Sequence, residues 1–168
     1  MDSRLEELQQ LLAAAVSGMS SAELSCHPPD KWCAAEVLEH LYLTYTGTIK
    51  GFEKVVAAGR PLASQASIGQ RWRTLLVLEF GHLPFGRTAP ATTRPRGLPA
   101  EQVRAEVALK IVGIDEIIAQ CEQRFGRDTK LLDHPILGPL TAGQWRKFHL
   151  VHGRHHAKQI RKLRDQAT

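Results

Sequence analysis

Apolar residues recur at steps of three and four positions in four long segments of the chain, which is the spacing of amphipathic helices. The first two segments cover residues 3–18 and about 33–58. The other two cover residues 99–124 and the residues from 141 onwards. No convincing strand pattern accompanies them, so the sequence predicts an all-α protein.

Two of these helices begin with a capping box. Ser3 stands three residues before Glu6, and Thr141 stands three residues before Gln144. In this arrangement each side chain satisfies a free backbone N–H of the first helical turn, so we expect helices to begin near Ser3 and Thr141. Most basic residues of the last helix fall outside its apolar stripe and are expected to face water: Arg146, Lys147, Arg154, Lys158, Arg161 and Lys162.

The connection between the second and third helices is the least regular part of the chain. Residues from Ile68 to Phe80 are apolar enough for a short helix, whereas those from Gly81 to Pro99 are rich in glycine and proline. Long loops in compact domains are commonly functional, so this one is expected to form a lid or one wall of a pocket. His82, near its start, is a candidate lining residue.

Length and helix order together predict the architecture. A chain of 168 residues with 43% hydrophobic content can bury one core, so we expect a single domain over residues 1–168. Four amphipathic helices with one long loop between the second and third predict a four-helix bundle. Metal sites in such bundles are built in the core from inward side chains of facing helices.

The last helix carries four of the eight histidines within residues 149–156. His152 and His156 are one helical turn apart, which is the HxxxH spacing that presents two imidazoles to one metal ion. The spacing alone is weak, so a metal site needs a third ligand. His149, one turn before His152, could be a further ligand, although its place beside Phe148 favours a packing or supporting role.

His40 is the expected third ligand, because it lies in the inward stripe of the second helix. A single histidine there would more often be a core residue, but the HxxxH pair on another helix favours a ligand. Three neutral imidazoles leave coordination positions open, as in catalytic sites. Glu36, one turn before His40, is placed to accept the proton of a ligand imidazole or to move protons at a bound water.

Charge and cysteine content exclude some classes of function. The 22 basic and 17 acidic residues give a net charge of +5, and no zinc-finger spacing or RNA-binding signature is present, so nucleic acid is a minor alternative. The polar, acidic N-terminus lacks the pattern of a secretory signal, and no apolar run is long enough for a membrane span. With three cysteines, an odd number, the sequence predicts a soluble cytoplasmic protein.

Two segments of the chain resemble a known family. KWCAAEVLEHLYLT and, over a hundred residues later, HPILGPLTAGQWRKFHLVHGRHHAKQI are similar to the DinB-like (DinB/YfiT-like) metalloproteins, and most similar to an uncharacterised bacterial branch. The resemblance implies an up-down-down-up bundle, a divalent metal on His40, His152 and His156, and a homodimer. It also implies that His155 points away from the metal. Some members resemble S-transferases that use low-molecular-weight thiols.

The sequence therefore leads to two hypotheses about function. The first is a metal-dependent enzyme of the hydrolase or thiol S-transferase type that acts on a small-molecule substrate. Its ion is expected to be zinc or nickel, with iron or manganese as alternatives. The second is a non-catalytic metal- or ligand-binding stress-response module. Nucleic-acid binding by the basic helix ranks last, because half of that helix must be buried.

Overall fold

The computed structural model describes residues 1–81 and 89–167, and this part of the chain is mostly helical, as predicted. It contains six α-helices, one short 3-10 turn and two short strands. In chain order these are α1 (Ser3–Val16), α2 (Ser21–Leu24), α3 (Ala34–Ala58), α4 (Ile68–Phe80), the 3-10 turn Ala91–Thr93, α5 (Ala100–Phe125), β1 (Leu132–His134), β2 (Gly138–Leu140) and α6 (Ala142–Ala167).

The helix starts follow from local capping chemistry. Thr141 and Gln144 form the predicted capping box of α6, with the Thr141 N–H donating to the Gln144 side chain over 3.1 Å and the Gln144 N–H donating to the Thr141 hydroxyl over 3.3 Å. At α1 the cap is Asp2, whose carboxylate accepts from the Arg4 N–H over 3.0 Å. The prediction that Ser3 caps this helix was therefore wrong by one residue, because the carboxylate of Asp2 is the capping acceptor.

Two small elements were missed by the sequence analysis. A capping box at Ser20 and Glu23 starts the one-turn helix α2, which lies between the first two predicted helices. The strands β1 and β2 form an antiparallel hairpin in which His134 pairs with Gly138. The expectation of no strands was therefore wrong here, because three-residue strands are too short to show an alternating pattern.

The long helices pack in pairs around one hydrophobic cluster. The α1 helix lies along α6 and α3 lies along α5, while α3 and α6 also contact each other. The helices that carry His40 and the HxxxH pair are therefore neighbours. No helix in the described ranges is both long and apolar enough to cross a membrane.

Arg146 corrects the expectation that the basic residues of the last helix face water. Its side chain is buried, with Nε 3.0 Å from an Asp115 oxygen and a terminal nitrogen 2.6 Å from a Glu122 oxygen. Both carboxylates belong to α5. A buried guanidinium is tolerated because two acidic partners compensate its charge, so Arg146 ties α6 to α5.

Gly153 allows α1 to approach α6 closely. A Cβ at this position would lie 2.0 Å from Leu8 Cδ1, and Leu8 is fully buried. Glycine within a helix lowers its intrinsic stability, so this residue is explained by the packing and not by helix propensity.

We therefore expect Gly153→Ala to destabilise the protein by about 1–3 kcal/mol, the usual cost of overpacking a core. Gly47→Ala is the matched control, since Gly47 also lies within a helix but has nothing within 4 Å of its added Cβ. That control should be stabilised by about 0.5–1 kcal/mol. Urea unfolding of both variants checks the difference, and equal effects would contradict the packing explanation.

Candidate metal centre

The three histidines predicted as ligands converge between α3 and α6. His152 Nε2 lies 3.4 Å from His40 Nε2 and 3.1 Å from His156 Nε2, and the ligand nitrogens of all three lie within 4.8 Å of one another. Two nitrogens bound to one tetrahedral zinc ion at its usual bond length are about 3.3–3.4 Å apart. The spacing observed is therefore that of a three-histidine group that could hold a divalent metal ion.

Hydrogen bonds donated by the outer ring nitrogens fix how two of these imidazoles face the site. His40 Nδ1 lies 2.8 Å from the Thr93 carbonyl oxygen, and His156 Nδ1 lies 3.0 Å from the Gln159 amide oxygen. Because both oxygens only accept, each Nδ1 carries the proton in the neutral ring. The Nε2 atoms of His40 and His156 therefore present lone pairs toward His152, which is the arrangement found around metal ions.

His152 stands between these two lone pairs. Its ring stacks on Phe148, with the ring planes 12° apart, and its Nδ1 has no hydrogen-bond partner among the described residues. A proton on His152 Nε2 could satisfy only one of the two lone pairs that face it. A cation shared by all three Nε2 atoms would satisfy the whole group, so the residues present fit a divalent metal ion.

Burial keeps these imidazoles uncharged. It lowers the pKa of His40, and together with the neighbouring histidines it lowers the pKa of His152 well below its usual value. Burial, together with the repulsion that a protonated His40 would exert, lowers the pKa of His156 to about 3. All three rings are therefore neutral at pH 7, which is the form that binds a metal.

Glu39 is a supporting residue that the sequence analysis missed. Its carboxylate is 1% exposed and accepts three backbone N–H groups, from Arg96 over 2.7 Å and from Gly97 and Leu98 over 3.0 Å each. These bonds hold the end of the long loop against α3. The same loop brings the Thr93 carbonyl to His40, so Glu39 helps to set the orientation of that ligand. Only its position beside His40 could have drawn attention to it.

The contacts of Glu36 lie at the start of α3, and its predicted role in proton transfer at the metal site stays a prediction. Its carboxylate accepts the Cys33 N–H over 2.9 Å, which completes a capping box at the start of α3. It also lies 2.9 Å from His27 Nε2. In the described part of the chain, no hydrogen bond joins it to His40 or the other two ligands of the site.

The other candidate histidines differ in their surroundings. His149 is fully buried and packs against Trp145, and neither of its ring nitrogens has a hydrogen-bond partner in the described ranges. It is not one of the converging ligands. His155 is half-buried with its ring 5.1 Å from that of His156, and His82 lies outside the described residues.

The metal-free protein should lose stability as the pH falls below about 6.5. In the unfolded chain histidine takes up a proton near that pH. In the folded chain burial lowers the pKa of His134 to about 4, and burial with the charge of His134 lowers that of His149 to about 3. Protons therefore favour unfolding, by about 2 kcal/mol per such imidazole at pH 5.

His149→Phe isolates one of these groups. The variant should lose about 2 kcal/mol less than the wild type between pH 7 and pH 5, because one buried imidazole no longer resists protonation. Its metal content should equal that of the wild type. Urea unfolding at the two pH values and elemental analysis measure both quantities, and loss of metal would instead make His149 a ligand.

No curated protein and no solved structure matches this chain. One family matches residues 2–163, and its description is "Protein of unknown function (DUF1569)". This match covers nearly the whole chain, including α3 and the three histidines, so the protein belongs to the DUF1569 family.

Proposed function

We propose that this protein is a metal-dependent enzyme whose divalent ion is bound by His40, His152 and His156. The observation that supports the proposal is the convergence of three neutral imidazoles, two of which are held with an Nε2 lone pair directed inward. Three protein ligands leave coordination positions for water or substrate, which is the pattern of catalytic sites.

Zinc and nickel are the proposed ions. An all-nitrogen group of imidazoles suits both, and the order of affinities among divalent first-row metals favours them over iron and manganese. Iron or manganese remain alternatives, since the ion that is available in the cell also decides occupancy.

A bound divalent ion would supply Lewis acidity, which lowers the pKa of a coordinated water or thiol and polarises a carbonyl or leaving group. The residues around the three histidines would support such chemistry on a small-molecule substrate. Thr93 and Gln159 orient two ligands, and the rings of Trp32 and Phe148 flank His40 and His152. These apolar rings shield the ligands from water on their own sides.

Both hydrolysis and thiol-dependent S-transfer fit this arrangement. The measurement that separates them is the turnover of electrophilic and ester substrates by the metal-loaded protein, with and without an added low-molecular-weight thiol. A transferase should show turnover only when the thiol is present, because the thiol is its co-substrate. A hydrolase should turn over esters without it.

We also propose the bundle topology that the DinB-like resemblance implies. It would arrange α1, α3, α5 and α6 as an up-down-down-up bundle within one domain. The pairing of α1 with α6 and α3 with α5 is compatible with that arrangement. A bacterial origin and a cytoplasmic location belong to the same proposal.

The proposed homodimer is supported by an apolar stripe on α4. Ile68, Trp72 and Phe80 are each more than 60% exposed, and Leu75 and Leu76 are also exposed on this helix. Pairing two copies of α4 in antiparallel fashion would bring Ile68 of one copy to Phe80 of the other. Sedimentation at increasing concentration should show a dimer that Trp72→Glu converts to a monomer, and an unchanged mass would contradict this surface.

The alternative is a non-catalytic module in which the ion stabilises the fold in a stress response. The feature that favours it is burial, because His40 is 6% and His156 is 8% exposed. This alternative predicts a large loss of stability on metal removal together with no turnover of either substrate class.

The metal site itself is tested by the metal content of the purified protein. The wild type should hold about one equivalent more than His152→Ala, His156→Ala, because the one imidazole left of the triad His40, His152 and His156 binds weakly. His155→Ala is the matched control, since it lies in the same segment but outside the converging group, and it should keep its metal. Equal metal in all three proteins, with circular dichroism confirming that each is folded, would contradict the triad.

A further inference from the structure

A second group of ligand atoms lies at the start of α3. His27, Cys33 and Glu36 place an imidazole nitrogen, a thiol sulfur and a carboxylate oxygen within 4.8 Å of one another. None of these atoms belongs to the histidine triad. Together they form a mixed nitrogen, sulfur and oxygen group, which is a set that zinc binds well.

His27 is oriented in the way that metal ligands are oriented. Its Nδ1 lies 3.1 Å from the Ser25 carbonyl oxygen, so Nδ1 carries the proton in the neutral ring. Its Nε2 then presents a lone pair to a Glu36 carboxylate oxygen only 2.9 Å away. Two acceptors this close repel each other unless a cation stands with them, and that cation is either a second proton or a metal ion.

Cys33 contributes the sulfur and is 2% exposed. It is the N-cap of the 25-residue helix α3, where free backbone N–H groups favour a negative charge. Burial raises the pKa of this thiol, so without a cation it stays protonated. A bound divalent ion would displace that proton to solvent and leave the thiolate as its ligand.

We propose that His27, Cys33 and Glu36 form a second metal site, which binds a divalent ion of the zinc class through nitrogen, sulfur and oxygen. Glu36 is four residues before His40 on α3, which is about 6 Å along the helix axis. Trp32, adjacent to Cys33 in the chain, has its ring 5.4 Å from that of His40. The second ion would therefore lie close to the triad, on the same helix.

Cobalt(II) in place of zinc gives a specific test on the full-length protein. Thiolate bound to cobalt produces a strong near-ultraviolet charge-transfer band, whereas cobalt bound only by imidazoles does not. The triad contains no sulfur, so this band reports the second site alone. Wild type should develop the band in proportion to added cobalt until one equivalent is bound at this site.

Variants identify the ligands. Cys33→Ser should abolish the band, and His27→Ala should raise the cobalt concentration for half-saturation by about tenfold or more. Glu36→Gln should weaken binding similarly while the amide keeps the capping bond to Cys33. Cys26→Ser is the matched control, because Cys26 is an exposed cysteine in the same loop region, and it should leave the band unchanged.

Two results would overturn the proposal. One is the absence of the charge-transfer band in folded wild type at saturating cobalt, and the other is a band that disappears in Cys26→Ser but persists in His27→Ala. If Cys33→Ser does not fold, His27→Ala and Glu36→Gln still decide the question, because His27 is exposed and Gln preserves the cap. The charge-transfer band does not depend on metal at the histidine triad. This proposal and the proposed function can therefore be contradicted independently of each other.

Discussion

The burial of three uncharged imidazoles at one point between α3 and α6 is the constraint on which the rest of the structure depends. An unpaired polar group in the core costs free energy, so a hydrogen-bond partner for a buried imidazole nitrogen stabilises the fold. The outer nitrogens of His40 and His156 find an oxygen each, from Thr93 and Gln159. The inner nitrogens have only one another, and a divalent cation could complete the group.

The long loop matters to the site through this constraint. Thr93 lies in the loop, and its carbonyl can reach His40 only if the chain is held against α3. Glu39 provides that attachment, with a buried carboxylate that accepts three successive backbone N–H groups. The Glu39 carboxylate thus satisfies three N–H groups of an irregular segment. Through the Thr93 carbonyl of the same loop, it also helps to orient His40, one residue further along α3.

The inward face of α6 carries core residues in its first turns and possible metal ligands in its middle turns. Its first turns bury Trp145 and Phe148 in the core, and its middle turns direct His152 and His156 at α3. Gly153, which lies between these two histidines in the chain, lets α1 approach the same helix. Core packing and the placement of His152 and His156 therefore depend on the same few turns of α6.

Two groups of possible metal ligands include residues from the first two turns of α3. Cys33 and Glu36 form its first turn with His27 nearby, and His40 lies one turn further on. Both groups use a histidine whose Nδ1 faces a backbone carbonyl and whose Nε2 faces the other ligands. In both cases the carbonyl belongs to a residue outside the long helices, Ser25 after α2 or Thr93 in the 3-10 turn, and its oxygen is free to orient an imidazole ring.

Local pattern was enough to predict the long helices, the start of α6 and the three converging histidines. Helical periodicity determines which residues share a face, so His152 and His156 had to project together, and His40 had to point inward from α3. The sequence could not give Glu39, Arg146 or Thr93 their roles. Their partners lie from 24 to 59 residues away in the chain, and only the packing of the helices and the loop brings them into contact.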